Sequence, residues 1–363
     1  MNFHKFPCSW LALALWLAAA VTVSAAGLRA DERVVFIPSP GSQTAPGGGW
    51  ELDIHAWAME PESRSLGVFA FRKAMGLDKD KMTPGERARF NERARWFLVD
   101  NERHKNITLW LNERLQPVGK TEADGRLHVS LTLAAESVAK LRAAAQTPVI
   151  HFTTADTGGV GRSFHGEIHL CDPEGLSVIS DIDDTIKVSE VRDQKALLRN
   201  TFVNEFKPVE GMAETYRAWM TNDGALFHYV SASPIQLYVP LADFVKGSSF
   251  PDGTWHLKDF RWKDESFFNL FVSPEEYKPG VIEPFFKRFP HRRFVLVGDS
   301  GEKDPEIYAA LARKYPRQVV RILIRDTTGE ARDSQRYQRV FQGLAPGSWQ
   351  IFKEPSILPR TFK

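Results

Sequence analysis

Short apolar runs that stop abruptly at polar residues recur along the second half of the chain. The first is Leu176–Ser180, a run of mostly apolar residues that ends at Asp181. Comparable runs cover residues 225–230, 294–297 and 319–324. Helix-like segments separate these runs, and buried strands that alternate with helices predict a doubly wound parallel α/β sheet over residues 171–345.

In the first half of the chain, apolar and polar residues alternate with the two-residue period that is typical of half-buried strands. Residues 50–56 alternate between apolar and polar positions, so one face of this strand is predicted to be buried. Asp124 and Gly125 predict a hairpin turn, and alternating apolar positions follow it as far as Leu133. Several short strands of this kind predict a small β-sandwich-like accessory domain over residues 31–170.

Helical segments interrupt the strands of this β-rich domain. Thr83 and Glu86 form a capping box with Pro84 at the first helical position, so a helix is predicted to begin there. A second helix is predicted over residues 134–145. Beyond the two domains, residues 346–363 are interpreted as a C-terminal tail.

The N-terminus has the features of an export signal. Residues 10–21 are continuously apolar, and small residues suited to cleavage follow at positions 24–26, which predicts a signal peptide over residues 1–26. The alternative is a retained anchor, but the run is short for a span of about 20 residues. Removal of Cys8 with the signal would leave Cys171 without a disulfide partner. We therefore expect an exported, periplasmic protein.

Composition narrows the possibilities only slightly. A chain of 363 residues can form two domains, and its apolar content of 43% and charged content of 25% are ordinary for a globular protein. The formal net charge of +2 gives no reason to expect a nucleic-acid partner. No oligomeric state is predicted.

Polar side chains follow the ends of three predicted strands. Asp181 and Asp183 follow the first, Ser231 follows the second, and Asp299 and Asp304 follow the third. Ligands of parallel α/β sheets bind outside the carboxyl ends of the strands. These side chains are therefore candidates for one catalytic site, with a carboxylate nucleophile and a proton donor beside it.

The order of these motifs resembles that of the haloacid dehalogenase superfamily of phosphotransferases. The matching positions are Asp181-x-Asp183-x-Thr185, Ser231, Lys278 at the spacing usual for the family lysine, and Gly298-Asp299 with Asp304. The chain is more closely similar to the actin-patch-type phosphatidate phosphatase family, over about residues 150 to 330. The stretches that carry this resemblance are FHGEIHL at 164–170, SDIDDTIK at 180–187, VSASPIQLY at 230–238 and FVLVGDSGEKDPEIY at 294–308.

The resemblance implies a Mg²⁺-dependent phosphatase. A carboxylate oxygen of Asp181, the backbone carbonyl of Asp183 and the side chain of Asp299 would bind the ion, with Asp304 beside them as a weaker candidate. Mg²⁺ prefers a few carboxylates together with water and phosphate oxygens, which suits this small acidic set. Because a phosphate ester resists attack by an anion, the cation is needed to neutralise charge.

The same resemblance implies a role for each polar side chain. Asp181 would attack phosphorus and form an aspartyl-phosphate, and Asp183 would protonate the leaving alkoxide and then activate water. Ser231 and Lys278 would bind the phosphoryl oxygens and offset their charge, with Thr185 also in the substrate-binding set. The second acid, Asp183, favours a phosphatase over a dehalogenase.

Several of these residues also have a structural interpretation. Asp304 before Pro305 is an ordinary helix start, and Lys278 before a proline and a glycine is compatible with a surface position. Glu302 is interpreted as solvated. Asp184 is expected to face away from the metal, because neighbours on an extended segment alternate sides.

His165, Glu167 and His169 would share one face of a strand, which raises the alternative of a metal site. We favour the solvated face of a strand, because a single strand rarely provides the geometry of a ligand set.

Two insertions flank the predicted site. Residues 243–277 are rich in aromatic residues and are interpreted mainly as an inserted hairpin that packs on the core, with a lid or a lipid-facing surface as the alternative. Residues 188–207 are a second candidate gate. A lipid-facing surface would give the protein peripheral contact with a membrane.

Three functions fit these observations. The first is a Mg²⁺-dependent phosphatase acting on phosphatidate-like phospholipids, and the second has the same chemistry on a phosphorylated small molecule or a phosphoprotein. The third is an exported binding protein without enzymatic activity, but the complete set of predicted catalytic residues argues against it.

Overall fold

The computed structural model describes residues 27–45, 47–61, 65–155, 161–259 and 274–363. The predicted signal peptide at residues 1–26 and much of the aromatic segment, residues 260–273, lie outside the described residues.

The N-terminal half is β-rich, as predicted. Its strands are Arg33–Ile37 (β1), Ser39–Gln43 (β2), Trp50–Glu60 (β3), Asp100–Asn101 (β4), Asn106–Leu111 (β5), Arg114–Lys120 (β6), Arg126–Leu133 (β7), Val149–Thr154 (β8) and His165–Cys171 (β9). Its α-helices are Ser65–Ala74 (α1), Pro84–Ala94 (α2) and Ala135–Ala145 (α3). The helix α2 begins with the predicted capping box, in which Thr83 and Glu86 each bond to the backbone of the other.

Within the described residues these strands form one mixed sheet in the order β1-β3-β2-β9-β8-β5-β6, with β4 and β7 also paired to β3. The pairs are antiparallel except β2–β9. On β3 the residues Trp50, Leu52, Ile54 and Ala56 are buried, as their alternation predicts. The apolar faces of the strands enclose a core that contains Leu109, Ile150 and Leu170.

The predicted hairpin at Asp124 and Gly125 is wrong in its pairing. The turn forms, and Gly125 adopts φ +76° with its carbonyl accepting from the Ala58 amide at 2.7 Å. However, β7 pairs with β3 within the described sheet, because the 11-residue β3 offers a backbone edge along which β7 forms an antiparallel ladder. The hairpin lies between β5 and β6, where Asn112 and Glu113 both have positive φ.

The C-terminal half is the predicted parallel α/β fold. Its strands are Leu176–Ser180 (β10), Leu226–Pro234 (β11), Gly253–Lys258 (β12), Arg293–Asp299 (β13), Val319–Arg325 (β14) and Trp349–Phe352 (β15). Its α-helices are Gln194–Phe202 (α4), Met212–Asp223 (α5), Tyr238–Gly247 (α6), Pro274–Arg288 (α7), Asp304–Lys314 (α8) and Gln335–Val340 (α9).

The described strands of this half are all parallel, in the order β12-β11-β10-β13-β14-β15. Every residue of β10 is buried, as its apolar sequence predicts. Residues 346–363, predicted to be a tail, contain β15, so the parallel sheet extends beyond residue 345. The order places β10 between β11 and β13, so their carboxyl ends lie side by side.

A shared hydrophobic core joins the two halves. Phe71 of α1 packs on Phe202 of α4, with ring centroids 5.5 Å apart, and the same cluster contains Trp57, Ile182 and Ile186. The helices α1 and α2 of the N-terminal half therefore pack beside the loop that follows β10. In the described part of the chain, no helix has the length and apolar character to cross a membrane.

Candidate active site

Asp181 lies immediately beyond β10 and is held by bonds to both its backbone and its side chain. Its amide donates to the Val297 carbonyl at 2.9 Å. Thr185 Oγ1 donates to Oδ2 at 2.9 Å, and Lys278 Nζ lies 2.9 Å from Oδ1. Only 1% of the residue is exposed, so this carboxylate is fixed in a single buried position.

Three carboxylates meet at the carboxyl ends of β10 and β13. Asp181, Asp299 and Asp304 each offer an oxygen, and these oxygens all lie within 4.8 Å of one another. Oδ1 of Asp299 accepts from the Gly301 amide at 2.6 Å, whereas Oδ2 is buried and has no hydrogen-bond partner among the described residues. An unpaired buried oxygen beside two other carboxylates could hold a cation.

The electrostatics of the cluster support this interpretation. Burial and the neighbouring carboxylates raise the pKa of Asp299 well above its usual range. Burial also raises the pKa of Asp181, and the Lys278 ammonium only partly offsets it. The ionised forms are therefore costly here without a cation. Three carboxylate oxygens form a hard donor set that fits Mg²⁺ or a similar divalent ion.

Asp304 is the first residue of α8, as its position before Pro305 predicts, but its side chain does not cap the helix. Instead Oδ1 lies 2.5 Å from Lys278 Nζ, and Oδ2 accepts from the Asp299 amide at 3.2 Å. Gly298 leaves room for this carboxylate, because a Cβ there would lie 2.2 Å from Asp304 Oδ2. The side chain thus faces the site.

Lys278 lies on α7 and is completely buried, contrary to its surface interpretation. Its ammonium contacts three carboxylates, at 2.9 Å from Asp181, 3.0 Å from Glu302 and 2.5 Å from Asp304. Burial alone would lower the pKa of Lys278, but these carboxylates raise it well above its usual range, so the ammonium is charged. The prediction that Glu302 is solvated is wrong, because its half-buried carboxylate turns inward to Lys278.

Asp183 lies in the same site, but its carboxylate points to a different set of partners. Lys187 Nζ and Ser189 Oγ each lie 2.7 Å from Oδ1, and Oδ2 accepts from Ser233 Oγ at 2.8 Å and Ser231 Oγ at 3.3 Å. Burial would raise the pKa of Asp183, but the Lys187 ammonium and these hydrogen bonds lower it to about 2. In this arrangement the carboxylate is therefore ionised.

Sequence reasoning missed Lys187, Ser189 and Ser233 as partners of Asp183. Lys187 belongs to the SDIDDTIK stretch, so its position four residues after Asp183 was a usable signal. Ser189 has no such signal, because a loop rather than a helix brings it back to the carboxylate.

Asp184 faces away from the acidic cluster, as predicted. It adopts φ +54°, and its carboxylate accepts from the amides of Ser189, Glu190 and Val191 at 2.7–2.9 Å. It therefore shapes the loop after β10 rather than binding a ligand.

His165, Glu167 and His169 lie on β9, as the strand interpretation predicts, but their face is only partly solvated, because His169 is buried. Glu167 lies 3.8 Å from His169 and 3.6 Å from His151, and His165 is exposed. In the described part of residues 243–277, Phe244, Phe250 and Trp255 are buried in the core, as the packing interpretation predicts.

Comparison with known proteins shows what the C-terminal half of the chain is similar to. Residues 176–326 match the family model described as phosphatidate phosphatase APP1, catalytic domain. Phosphatidate phosphatase APP1 of Saccharomyces cerevisiae is 36% identical over 156 residues, which are 42% of this chain and 26% of the relative. An uncharacterized protein of Schizosaccharomyces pombe is 30% identical over 173 residues, 47% of this chain and 28% of the relative.

The chain thus spans about a quarter of the length of these curated relatives. The matched segment begins at the first residue of β10 and ends just beyond β14, so it contains all the carboxylates of the site together with Lys187, Ser231 and Lys278. Residues 176–326 of this chain are therefore similar to the catalytic domain of the APP1 phosphatidate phosphatase family.

Proposed function

We propose that this protein is a Mg²⁺-dependent phosphatase that hydrolyses phosphatidate-like monoesters through a phosphorylated Asp181. The observation that carries the proposal is the fixed, buried Asp181 carboxylate, held between Thr185 and Lys278 beside the acidic cluster. A nucleophile needs such a fixed position, because a displacement at phosphorus requires an aligned attack.

Asp181, Asp299 and Asp304 would hold the Mg²⁺ ion, and the backbone carbonyl of Asp183 is a further candidate ligand. Asp304 divides its oxygens between Lys278 and the Asp299 amide, so it is the weakest of the three. A bound divalent cation would neutralise part of the phosphate charge and so permit the approach of an anionic nucleophile.

In the first step an Asp181 oxygen forms a bond to phosphorus while the bond between phosphorus and the leaving alkoxide breaks. Asp183 gives its proton to that alkoxide. The partners of Asp183 in this structure keep it ionised, so a further effect must bring it to the protonated form. The arriving phosphate would supply that effect. Its negative charge raises the pKa of the adjacent carboxyl, which favours the protonated form.

In the second step water attacks phosphorus and the bond to the Asp181 oxygen breaks, which releases phosphate and restores the carboxylate. Asp183 takes the proton of that water, and its pairing with Lys187 suits this role because a base must be ionised. Lys278 offsets the charge of Asp181 and of the phosphoryl group. Ser231, at 3.3 Å from Asp183, is free to turn its hydroxyl towards a phosphoryl oxygen.

The proposed substrate class is supported by the similarity of residues 176–326 to the catalytic domain of a phosphatidate phosphatase. Phosphate release from phosphatidate in mixed micelles should be compared with release from a panel of water-soluble monoesters, with Mg²⁺ and with Asp181→Asn as the inactive control. We expect phosphatidate to be preferred. Preference for the soluble panel would refute the lipid assignment, and absence of release from every substrate would refute the phosphatase.

The site of action is proposed from the N-terminal sequence alone. The apolar run and small residues at 1–26 support export to the periplasm followed by cleavage. N-terminal sequencing of protein recovered from the periplasmic fraction should begin near residue 26 or 27. Recovery of the intact N-terminus from the cytoplasm would contradict export.

A further inference from the structure

The Asp183 carboxylate accepts from one charged donor, Lys187, and from three serine hydroxyls. We propose that Lys187 is a positioning residue for Asp183, and that the N-terminal half of the chain holds Lys187 in place through Arg93 and Phe206. This inference rests on the proposed function, because it assigns a role within that reaction.

Lys187 is as buried as the catalytic carboxylates, with 1% of its surface exposed. Its ammonium lies 2.7 Å from Asp183 Oδ1 and 2.5 Å from Ser189 Oγ, and Ser189 itself donates to the same carboxylate oxygen. The backbone is also tied down, since the Lys187 amide donates to the Ile182 carbonyl at 3.0 Å. A short loop therefore brings Lys187 back over Asp183 and fixes one edge of its carboxylate.

The ring of Phe206 supports Lys187. The Lys187 ammonium lies 5.0 Å from the centroid of this ring, and the Arg93 guanidinium carbon lies 3.6 Å from the same centroid. Both distances are within the range of cation–π contacts. Phe206 is thus in contact with one cation from each half of the molecule.

Arg93 comes from α2 in the N-terminal half and is itself buried, at 6% exposure. Its Nη1 donates to the carbonyls of Thr201 at 2.9 Å and Asn204 at 2.8 Å. Burial lowers the pKa of Arg93 to about 10, so it is charged at neutral pH. It therefore anchors the segment that carries Phe206 and also contacts the Phe206 ring.

Arg89 provides a matched control on the same helix. It lies one turn earlier and anchors the same segment, through the Val203 carbonyl at 2.9 Å and the Glu205 carboxylate at 3.0 Å. Both of these partners lie in the segment that carries Phe206, and neither contact involves the Phe206 ring. Replacement of Arg89 thus tests loop anchoring, whereas replacement of Arg93 tests anchoring together with the ring contact.

Misplacement of Asp183 should slow the protonation of the leaving group more than the other steps. Protonation matters most for a poor leaving group such as an alkoxide, and least for p-nitrophenolate, which leaves without a proton. kcat/KM reports the steps up to the first phosphoryl transfer. The ratio of kcat/KM for an alkyl ester to that for p-nitrophenyl phosphate therefore measures the acid function of Asp183, and a general loss of folded protein does not change it.

The experiment measures this ratio in the full chain with Mg²⁺, with phosphatidate micelles or glycerol 3-phosphate as the alkyl ester, whichever the wild type turns over faster. For Lys187→Met we expect the alkyl ester to lose at least about tenfold more than p-nitrophenyl phosphate, and Lys187→Arg to restore part of the loss. Removal of the ammonium also makes Asp183 easier to protonate, but a carboxyl that is out of position does not reach the alkoxide. Arg93→Met should shift the ratio in the same direction by less, and the double variant should match Lys187→Met alone. Arg89→Met should leave the ratio unchanged.

Three results would overturn the inference while leaving the phosphatase intact: equal losses on both substrates, an Arg89→Met shift equal to that of Arg93→Met, or losses that multiply in the double variant. Arg93→Lys and Lys187→Arg, checked by thermal melting, keep the test valid where a methionine variant does not fold. If the wild type turns over neither ester, the proposed function fails and this inference fails with it.

Discussion

The Lys278 ammonium and Oδ1 of Asp181 lie 2.9 Å apart, and both residues are almost completely buried. The two come from α7 and from the loop after β10, nearly a hundred positions apart in the sequence. The buried Lys278 ammonium therefore contacts Asp181, Glu302 and Asp304 at the same time. Removal of Glu302 or Asp304 should change how Lys278 supports Asp181, the proposed nucleophile.

Glu302→Gln tests the contact between Lys278 and Glu302, the residue that the sequence predicts to be solvated. Loss of the charged contact at 3.0 Å should leave Lys278 less firmly held beside Asp181, and we expect kcat to fall by about tenfold to a hundredfold. Glu283→Gln is the control, because Glu283 lies on α7 and pairs with Lys287 and Lys314 rather than with Lys278. Equal kinetics for the wild type and Glu302→Gln would show that Glu302 has no catalytic importance.

Gly298→Ala should disturb the acidic cluster, because the new Cβ would lie 2.2 Å from Asp304 Oδ2. If these carboxylates bind Mg²⁺, the ion raises the Tm of the wild type by binding only the folded state. We expect Gly298→Ala to lose most of this rise. Gly280→Ala should keep it, because its Cβ would meet no atom within 4 Å. Full stabilisation of Gly298→Ala by Mg²⁺ would place the metal elsewhere.

Phe71→Ala tests the core shared by the two halves. Phe71 is 1% exposed and packs on Phe202, so truncation should lower the free energy of unfolding by about 3–5 kcal/mol. Phe69→Ala on the same helix should change it by less than about 1 kcal/mol, because Phe69 is 54% exposed. Chemical denaturation followed by fluorescence measures both. A small effect of Phe71→Ala would mean that the halves are stabilised independently.

Buried histidines should make stability depend on pH. Burial lowers the pKa of His256 to about 4 and that of His228 well below its usual range, and the Thr254 hydroxyl lies 3.0 Å from His256 Nε2 and 2.8 Å from His228 Nδ1. Below pH 6.5 the unfolded state binds protons that the folded state does not. Each histidine should therefore remove about 1.4 kcal/mol of stability per pH unit as the pH falls from 6.5 towards 4.

The raised pKa values of Asp181 and Asp299 have the opposite effect on stability, since they favour the folded state as the pH falls. The histidine contribution is therefore measured as the difference between the wild type and a variant without the two histidines. Denaturation of His228→Asn/His256→Asn should show a weaker loss of stability between pH 6.5 and 5 than the wild type. Replacement of the exposed His291 by Asn should not alter the dependence. An unchanged dependence in the double variant would show that these two histidines are protonated in the folded state.

The sequence was sufficient to predict the parallel sheet and the strand ends that carry Asp181, Ser231 and Asp299, because buried parallel strands have a strong local signature. The roles of these residues remain predictions. Contacts that join distant segments had no local signature. Lys278 with Glu302 and the pairing of β7 with β3 depend on tertiary packing, which apolar periodicity does not encode. The loop that returns Ser189 to Asp183 was missed for the same reason.

The central claim is that Asp181 becomes phosphorylated during turnover. Protein quenched during turnover should be treated with borohydride, which reduces an acyl phosphate, and its peptides should then be analysed by mass spectrometry. We predict conversion of Asp181 to homoserine in the wild type, dependent on substrate and Mg²⁺, and no conversion in Asp181→Asn, whose turnover should fall at least about a hundredfold. Turnover without modification of Asp181, or modification of a different carboxylate, would contradict the account.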